Sequence, residues 1–168
     1  ALGMYEAEIN GKKVGDVLFA PGFTYYPRNL QYQIYDVTDL LTGKDVLKVY
    51  LGQGWYCGRF TFHNKTQIYG EYPAVSLILE VEDENGATHY YNSDDNRVEA
   101  VQSPYEYAGL YDGEIYHAKG VAQEVIQPTE YKGLISEVIE EGNAIDFPYE
   151  DAGRNKQINF LKGYSDDF

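Results

Sequence analysis

Cysteine, basic side chains and long apolar runs are all scarce in this sequence. A single cysteine excludes an internal disulfide, and no apolar run approaches the length of a membrane-spanning helix. Only 13 Lys and Arg residues oppose 27 Asp and Glu residues, which gives a formal net charge of -14. That charge repels nucleic acid and anionic membrane surfaces, so neither is an expected partner. A neutral polar ligand, or a cation held by carboxylates, fits the charge better.

Tyrosine, in contrast, is abundant, and the pattern around it is that of β-strands. The chain holds 18 tyrosines, whose rings suit pleated surfaces. Two stretches, 5–11 and 75–86, alternate apolar with polar residues and end in Asn-Gly, the commonest dipeptide of tight hairpin turns. Further short strands are predicted at 31–37 and 45–52, with one helical turn at 38–41. The sequence therefore predicts a single all-β domain, an antiparallel β-sandwich with one or two short helices.

The alternation fades after about residue 120. Residues 134–139 place apolar side chains at helical spacing and predict a short helix, and 158–161 predict a strand before a polar, frayed tail. We expect residues 1–119 to form the sandwich and residues 120–168 to be an extension that packs on it or is partly disordered. The chain also starts without methionine, within a predicted strand, so we expect it to be a piece of a longer protein.

The stretch "LGQGWYCGRF", residues 51–60, holds the only tryptophan and the only cysteine of the chain. Glycines on both sides of Trp55 let the backbone bend there and place a large ring against the next sheet. Two interpretations compete. One is a structural anchor at the point where a strand leaves the core, which we favour, and the other is a platform on which a ligand stacks. Cys57 is most simply a small, buried side chain.

Five stretches occur here in the order seen in one domain family. They are "ALGMYEAEINGKKVGD", "APGFTYY", "QYQIYDVTDLL", "LGQGWYCGRF" and "YDGEIYHAK". Over roughly residues 1–119 they resemble the N-terminal β-sandwich domain of bacterial α-L-rhamnosidases of glycoside hydrolase family 78. The chain departs from the family pattern at Phe23, where a tryptophan is usual, and at Tyr25, where an aspartate is usual.

The resemblance implies a jelly-roll-like fold of the galactose-binding-domain kind, attached to an enzyme whose catalytic acid and base lie in a separate helical domain. Glycoside hydrolysis needs two carboxylates that flank the scissile bond. The acidic, tryptophan-bearing stretch that carries them in the family is missing from this sequence. The implied function is a non-catalytic accessory domain that needs no cofactor and supports the catalytic helical domain of the same polypeptide, with contact to carbohydrate as a further expectation. Such a domain is expected to be soluble, in the bacterial cytoplasm or secreted with its parent enzyme.

Some relatives of this domain are calcium-dependent L-rhamnose-binding modules, and this lectin role is the alternative function. Calcium takes several oxygen ligands, and a loop that contains Asp94, Asp95 and Asn96 offers carboxylate and amide oxygens. The simpler interpretation of this loop is a polar turn. The residues expected to contact a rhamnose-containing glycan are an aromatic set with one amide: Trp55, Tyr56, Tyr26 and Asn29.

Overall fold

The computed structural model describes residues 1–27, 29–121, 125–126 and 155–159. The strands described there are β1 (Met4–Ile9), β2 (Lys12–Lys13), β3 (Asn29–Gln33), β4 (Leu47–Gly52), β5 (Ile78–Glu82), β6 (Thr88–Asn92), β7 (Ala100–Val101), β8 (Tyr105–Gly109), β9 (Gly113–Tyr116), β10 (Val125–Ile126) and β11 (Asn155–Asn159). The helical turns are a 3-10 turn (Thr38–Leu40) and α1 (Gly54–Cys57).

β1 is the centre of a three-stranded antiparallel sheet in the order β2-β1-β4. Successive residues of β1 point to opposite faces, so Ala7 and Ile9 turn into the core while Glu6 faces outward. At the β1–β2 turn, Asn10 and Gly11 have positive φ angles of 54° and 76°. A tight hairpin turn requires such angles, and Asn-Gly is its preferred pair. The hairpin predicted at 5–11 is confirmed.

The second predicted hairpin is also present, as the antiparallel pair β5–β6. Val81 lies opposite His89, and Gly86 in the connecting turn has a φ of 78°. The carboxylate of Asp83 accepts hydrogen bonds from the backbone N–H groups of Asn85 at 2.8 Å and Ala87 at 3.0 Å. This carboxylate stabilises the turn, which adds to the effect of the Asn-Gly pair.

β8 and β9 form a third antiparallel hairpin, and β8 lies beside β4. The side-chain amide of Gln53, which follows β4, accepts a hydrogen bond from the backbone N–H of Ala108 at 2.8 Å. It also donates to the backbone carbonyl of Glu106 at 3.4 Å. These two bonds of the Gln53 side chain hold β8 beside β4, while β2-β1-β4 and β8-β9 remain two separate sheets.

Two short strands from the last part of the chain pair with earlier ones. β10 runs antiparallel to β7, and β11 runs antiparallel to β3. β11 overlaps the strand predicted at 158–161 but begins earlier, at Asn155. The helix predicted at 134–139 lies outside the described residues. The division of the chain at residue 119 stays a prediction.

The described core consists of two clusters of buried side chains. One lies against β1 and consists of Ala7, Ile9 and Val14. The other surrounds α1 and consists of Leu2, Tyr26, Tyr56 and Cys57. Each cluster combines segments that are distant in sequence, so burial of these side chains holds the small sheets together.

The fold class predicted from the sequence is confirmed. Antiparallel strands dominate, and within the described residues helix is limited to two short turns. The 3-10 turn lies where the sequence predicts it, and the carboxylate of Asp36 accepts a hydrogen bond from the backbone N–H of Thr38 at 3.0 Å. No helix in the described part of the chain is long enough and apolar enough to cross a membrane.

Candidate interaction site

β4 is followed directly by the helical turn α1, which carries Trp55, Tyr56 and Cys57. Gly54 opens this turn with a φ of 51°, in the left-handed region that favours glycine. A Cβ at this position would lie 2.7 Å from Cγ of Met4, so only a residue without a side chain passes β1 this closely. The glycine therefore decides how the turn packs on β1 and where its three side chains point.

α1 lies within a group of rings that we call the aromatic cluster: Phe23, Tyr26, Trp55, Tyr56, Phe60 and Tyr69. Tyr26 and Tyr56 meet edge to face, with ring centroids 5.2 Å apart and an interplanar angle of 80°. Phe23 and Phe60 are stacked, with centroids 5.0 Å apart and an angle of 27°. Both geometries are attractive beyond the area that they bury. The cluster thus joins α1 to two loops from different parts of the chain.

The aromatic cluster is buried at one end and open at the other. Tyr26 and Tyr56 are each 3% exposed, whereas Phe23 is 43% exposed and Trp55 is half-buried. Burial raises the pKa of the Tyr26 hydroxyl, and it raises the pKa of the Cys57 thiol to about 11. At neutral pH this thiol is therefore protonated and is a packing group, since the thiolate is the nucleophilic form.

Three of the four expected carbohydrate contacts come together in this cluster. Tyr26, Trp55 and Tyr56 are neighbours, while Asn29 is the first residue of β3. A ligand that approaches the open end meets Trp55 and Phe23 first, because the two tyrosines are covered. The carbohydrate role of these residues stays a prediction.

Gly70→Ala should lower the free energy of unfolding by about 1–3 kcal/mol, the usual cost of overfilling a packed core. The backbone φ of Gly70 is not positive, but a Cβ there would overlap the phenol ring of Tyr56. Because the clash is with this side chain, Gly70→Ala should cost little in a Tyr56→Ala background. Urea unfolding of the wild type, both single variants and the double variant measures the coupling. If the losses of the two single variants simply add up in the double variant, the predicted clash between a Cβ at position 70 and the Tyr56 side chain is contradicted.

The expected calcium residues Asp94, Asp95 and Asn96 lie in the turn after β6. Arg97 donates from Nε to one carboxylate oxygen of Asp95 at 2.7 Å and from Nη2 to the other at 2.5 Å. The guanidinium also lies over the ring of Tyr91, 5.3 Å from its centroid. A carboxylate with both oxygens held by a positive charge does not fit a calcium site.

Metal binding in this turn therefore has no geometrical support. Within the described ranges, no three His, Cys, Asp or Glu side chains are grouped to hold a metal ion. The calcium expectation stays a prediction.

The ion pair between Asp95 and Arg97 should persist in acid down to the pKa of Asp95, about 2. Hydrogen bonds from the side chain and backbone of Arg97 lower the pKa of Asp95 from 3.8 to about 2. Because the folded-state pKa is the lower one, the pair stabilises the fold above pH 3.8 and is lost as the pH falls through about 2. An NMR titration of the side-chain carboxyl carbons measures this midpoint, and Arg97→Ala should raise it. A midpoint that does not move in this variant would contradict the pairing.

For Arg59, at the end of the stretch that contains Trp55, the sequence leaves the partner open between one of many acidic side chains and the ring of Tyr56. The Nε of Arg59 forms an ion pair with Asp112 at 3.0 Å, and its Nη1 donates to the side chain of Asn64 at 2.7 Å. The guanidinium also lies over the ring of Tyr111, 5.4 Å from the centroid. These contacts join the segment after α1 to the turn between β8 and β9. The sequence offers Arg59 many acidic partners, and only distances in the fold select one.

Residues 1–141 match the family model described as the α-L-rhamnosidase N-terminal domain. The chain belongs to this family. It is 41% identical over 120 residues to an α-L-rhamnosidase of Streptomyces avermitilis, a match that covers 71% of this chain and 12% of that protein. It is 34% identical over 119 residues to an α-L-rhamnosidase of Formosa agariphila, covering 70% of this chain and 13% of that protein.

Two solved structures of α-L-rhamnosidases are also similar to this chain. The Streptomyces avermitilis enzyme complexed with L-rhamnose superposes with a TM-score of 0.64 and 38% identity, over 68% of this chain and 11% of that chain. The native enzyme of Aspergillus terreus superposes with a TM-score of 0.60 and 36% identity, over 68% of this chain and 13% of that chain. At these identities the likeness extends beyond the fold to the family.

The resemblance found in the sequence is confirmed. This member of the α-L-rhamnosidase N-terminal domain family spans only 12% to 13% of the length of the curated relatives that it matches. Because the match is to their N-terminal domain, the catalytic domain is absent from this chain. The family model extends to residue 141, beyond the last of the stretches that carry the resemblance.

Proposed function

We propose that this chain acts as a non-catalytic accessory domain of an α-L-rhamnosidase and supports the catalytic domain of the same polypeptide. One observation carries the proposal: residues 1–141 match an N-terminal domain that fills only 12% to 13% of the curated relatives. The much larger remainder of such an enzyme has room for the catalytic machinery, and a small domain at its N-terminus then contributes by packing.

Two carboxylates in turns, those of Asp36 and Asp45, fit a structural role. Hydrogen bonds from the backbone and side chain of Thr38 lower the pKa of Asp36. A hydrogen bond from the side chain of Asn10 lowers the pKa of Asp45, together with bonds from Thr42 and Gly43. A general acid of a glycosidase needs the opposite, a raised pKa that keeps its proton at neutral pH. These carboxylates are acceptors in turns.

Exposed apolar side chains also support a packing role. Phe62 is fully exposed at 104%, and Leu18, Tyr72 and Ile78 are each 70% exposed. Single exposed apolar residues are normal, but many large ones on a small domain mark surfaces that another domain covers. The same feature is expected of a domain that in its parent is tethered to a larger neighbour.

Calorimetric titration with L-rhamnose separates the accessory role from the lectin alternative, for which the open end of the aromatic cluster is the available surface. The 168-residue chain is titrated with the sugar, once with calcium and once with a chelator. An accessory role by packing alone predicts no heat beyond dilution in either titration. Saturable heat that requires calcium would replace this role by the lectin role, and saturable heat without calcium would place direct sugar contact in the domain.

A further inference from the structure

The β2-β1-β4 sheet and the adjoining β8–β9 hairpin together carry a row of tyrosines. Glu6 of β1 lies directly opposite Tyr50 of β4. The ring of Tyr50 meets that of Tyr105 at 6.5 Å, and Tyr105 meets Tyr116 at 4.9 Å. Directly opposed residues of antiparallel strands share a face, and Glu6 points away from its neighbour Ala7, which is buried. The tyrosine row therefore lies on the side of the strands that points away from the core.

A cavity of about 410 Å³ lies next to this row. Besides two glycines, it is lined by Met4, Phe19, Ala108, Leu110 and Glu114. Met4 and Glu6 are alternate residues of β1, and Glu114 and Tyr116 are alternate residues of β9, so each pair shares a face. The cavity and the tyrosines consequently form one continuous surface, which we call the outer face.

Phe19 stands at the rim of the cavity in an uncommon backbone conformation. Its φ is 56°, and its side chain is 59% exposed, next to Leu18 at 70%. A positive φ is a genuine outlier for a bulky residue, and such outliers concentrate at sites of function. Here the conformation leaves two large apolar side chains in water beside an apolar cavity, as expected for the centre of an interface.

The charged side chains of the outer face nearly balance, because two lysines oppose three glutamates: Lys13 and Lys48 against Glu6, Glu8 and Glu114. Burial raises the pKa of the Tyr105 hydroxyl, and the nearby carboxylates of Glu114 and Glu6 raise it further. Lys13 neutralises Glu6 in an ion pair of 2.7 Å. For Glu114, the described part of the chain supplies no cationic partner. A protein surface that binds the outer face gains the most binding free energy if it places an Arg or Lys against Glu114 and an apolar group in the cavity.

We propose that the outer face is the surface on which the rest of the rhamnosidase polypeptide docks, with an apolar side chain in the cavity and a basic side chain on Glu114. This inference rests on the proposed function. In the curated relatives, the matched domain is only 12% to 13% of the polypeptide, so a large occupant is tethered to it. The net charge of -14 favours a basic partner surface, and tyrosines are enriched where protein surfaces meet.

Thiol labelling tests the docking face directly. Glu114→Cys is made in the 168-residue chain and in the complete polypeptide that contains it, and Glu80→Cys on β5 is the matched control. A maleimide is added, and mass spectrometry of peptides follows labelling at each position separately from the buried Cys57. Labelling at position 114 should slow about tenfold or more in the complete polypeptide, because interface cores exclude water and reagent. Labelling at position 80 should not change.

The other outcomes of this experiment each overturn the proposal. Equal labelling rates at position 114 in both proteins would show an open face, and equal slowing at positions 114 and 80 would show that protection is not specific to it. Protection of the 168-residue chain by L-rhamnose would assign the face to a sugar, and protection that grows with chain concentration would assign it to a second copy. Rhamnosidase turnover is measured on the same complete polypeptide. Its absence would refute the proposed function, whereas turnover with an accessible thiol refutes only the docking face.

Discussion

Tyr56→Ala should lower the free energy of unfolding by about 3–5 kcal/mol, the range for truncating a large buried aromatic side chain. Tyr56 is 3% exposed, and its ring meets that of Tyr26 edge to face at 5.2 Å. The substitution therefore removes both apolar burial and a ring contact from the cluster around α1. Because domains of this size are stable by only about 5–15 kcal/mol, the variant should lose a large share of its stability.

Tyr72→Ala is the matched control for this experiment. Tyr72 is 70% exposed, so the same chemical change should alter the free energy of unfolding by no more than about 0.5 kcal/mol. Urea unfolding followed by far-ultraviolet circular dichroism compares the two variants with the wild type. Losses of equal size at Tyr56 and Tyr72 would contradict the placement of Tyr56 in the core.

Trp55→Ala should cost about 2–3 kcal/mol, less than the full range for buried aromatics because the ring is half-buried. The ring packs against the cluster that contains Tyr56 and Cys57, which supports the anchor interpretation of the stretch around it. Trp55 is the only tryptophan, so the emission of the wild type reports on this ring alone. An anchor predicts that L-rhamnose leaves the emission unchanged.

Phe62→Ala is the control for Trp55, since Phe62 is fully exposed at 104% and its truncation should be nearly neutral. The sugar-platform interpretation makes the opposite pair of predictions for Trp55. A loss in Trp55→Ala as small as that in Phe62→Ala, together with an emission shift on adding L-rhamnose to the wild type, would contradict the anchor.

The β1–β2 and β5–β6 hairpins are predictable because their signals are local, whereas the β8–β9 hairpin has no Asn-Gly turn and is not predicted. Alternation in β1 and β5 decides which side chains face the core, and Asn-Gly supplies the two residues that a tight turn requires. The helical turn α1 is not predictable in this way. It has only four residues, two of them aromatic and one a glycine, and its conformation depends on packing against β1. A segment of four residues is too short for its sequence pattern to distinguish a helix from a loop.

The interaction surfaces are less visible in the sequence because they combine distant residues. Tyr50, Tyr105 and Tyr116 become neighbours only when β8 lies beside β4, and that arrangement involves the hydrogen bonds of Gln53. At the turn after β6, the residue types suggest a site that the contacts in the fold do not support. Residue types there suggest calcium ligands, but Arg97 already binds the carboxylate of Asp95, and the sequence does not show where that guanidinium points.

Release of nitrophenol from an aryl α-L-rhamnoside is the most direct test of the central claim, that this chain is a non-catalytic domain of a rhamnosidase. The 168-residue chain and the complete polypeptide that contains it are assayed side by side at equal molar concentration. We predict turnover by the complete polypeptide and none by the chain alone, because the catalytic domain is absent from it. Turnover by the rigorously purified chain that disappears when an acidic pair such as Asp94 and Asp95 is mutated would contradict this claim.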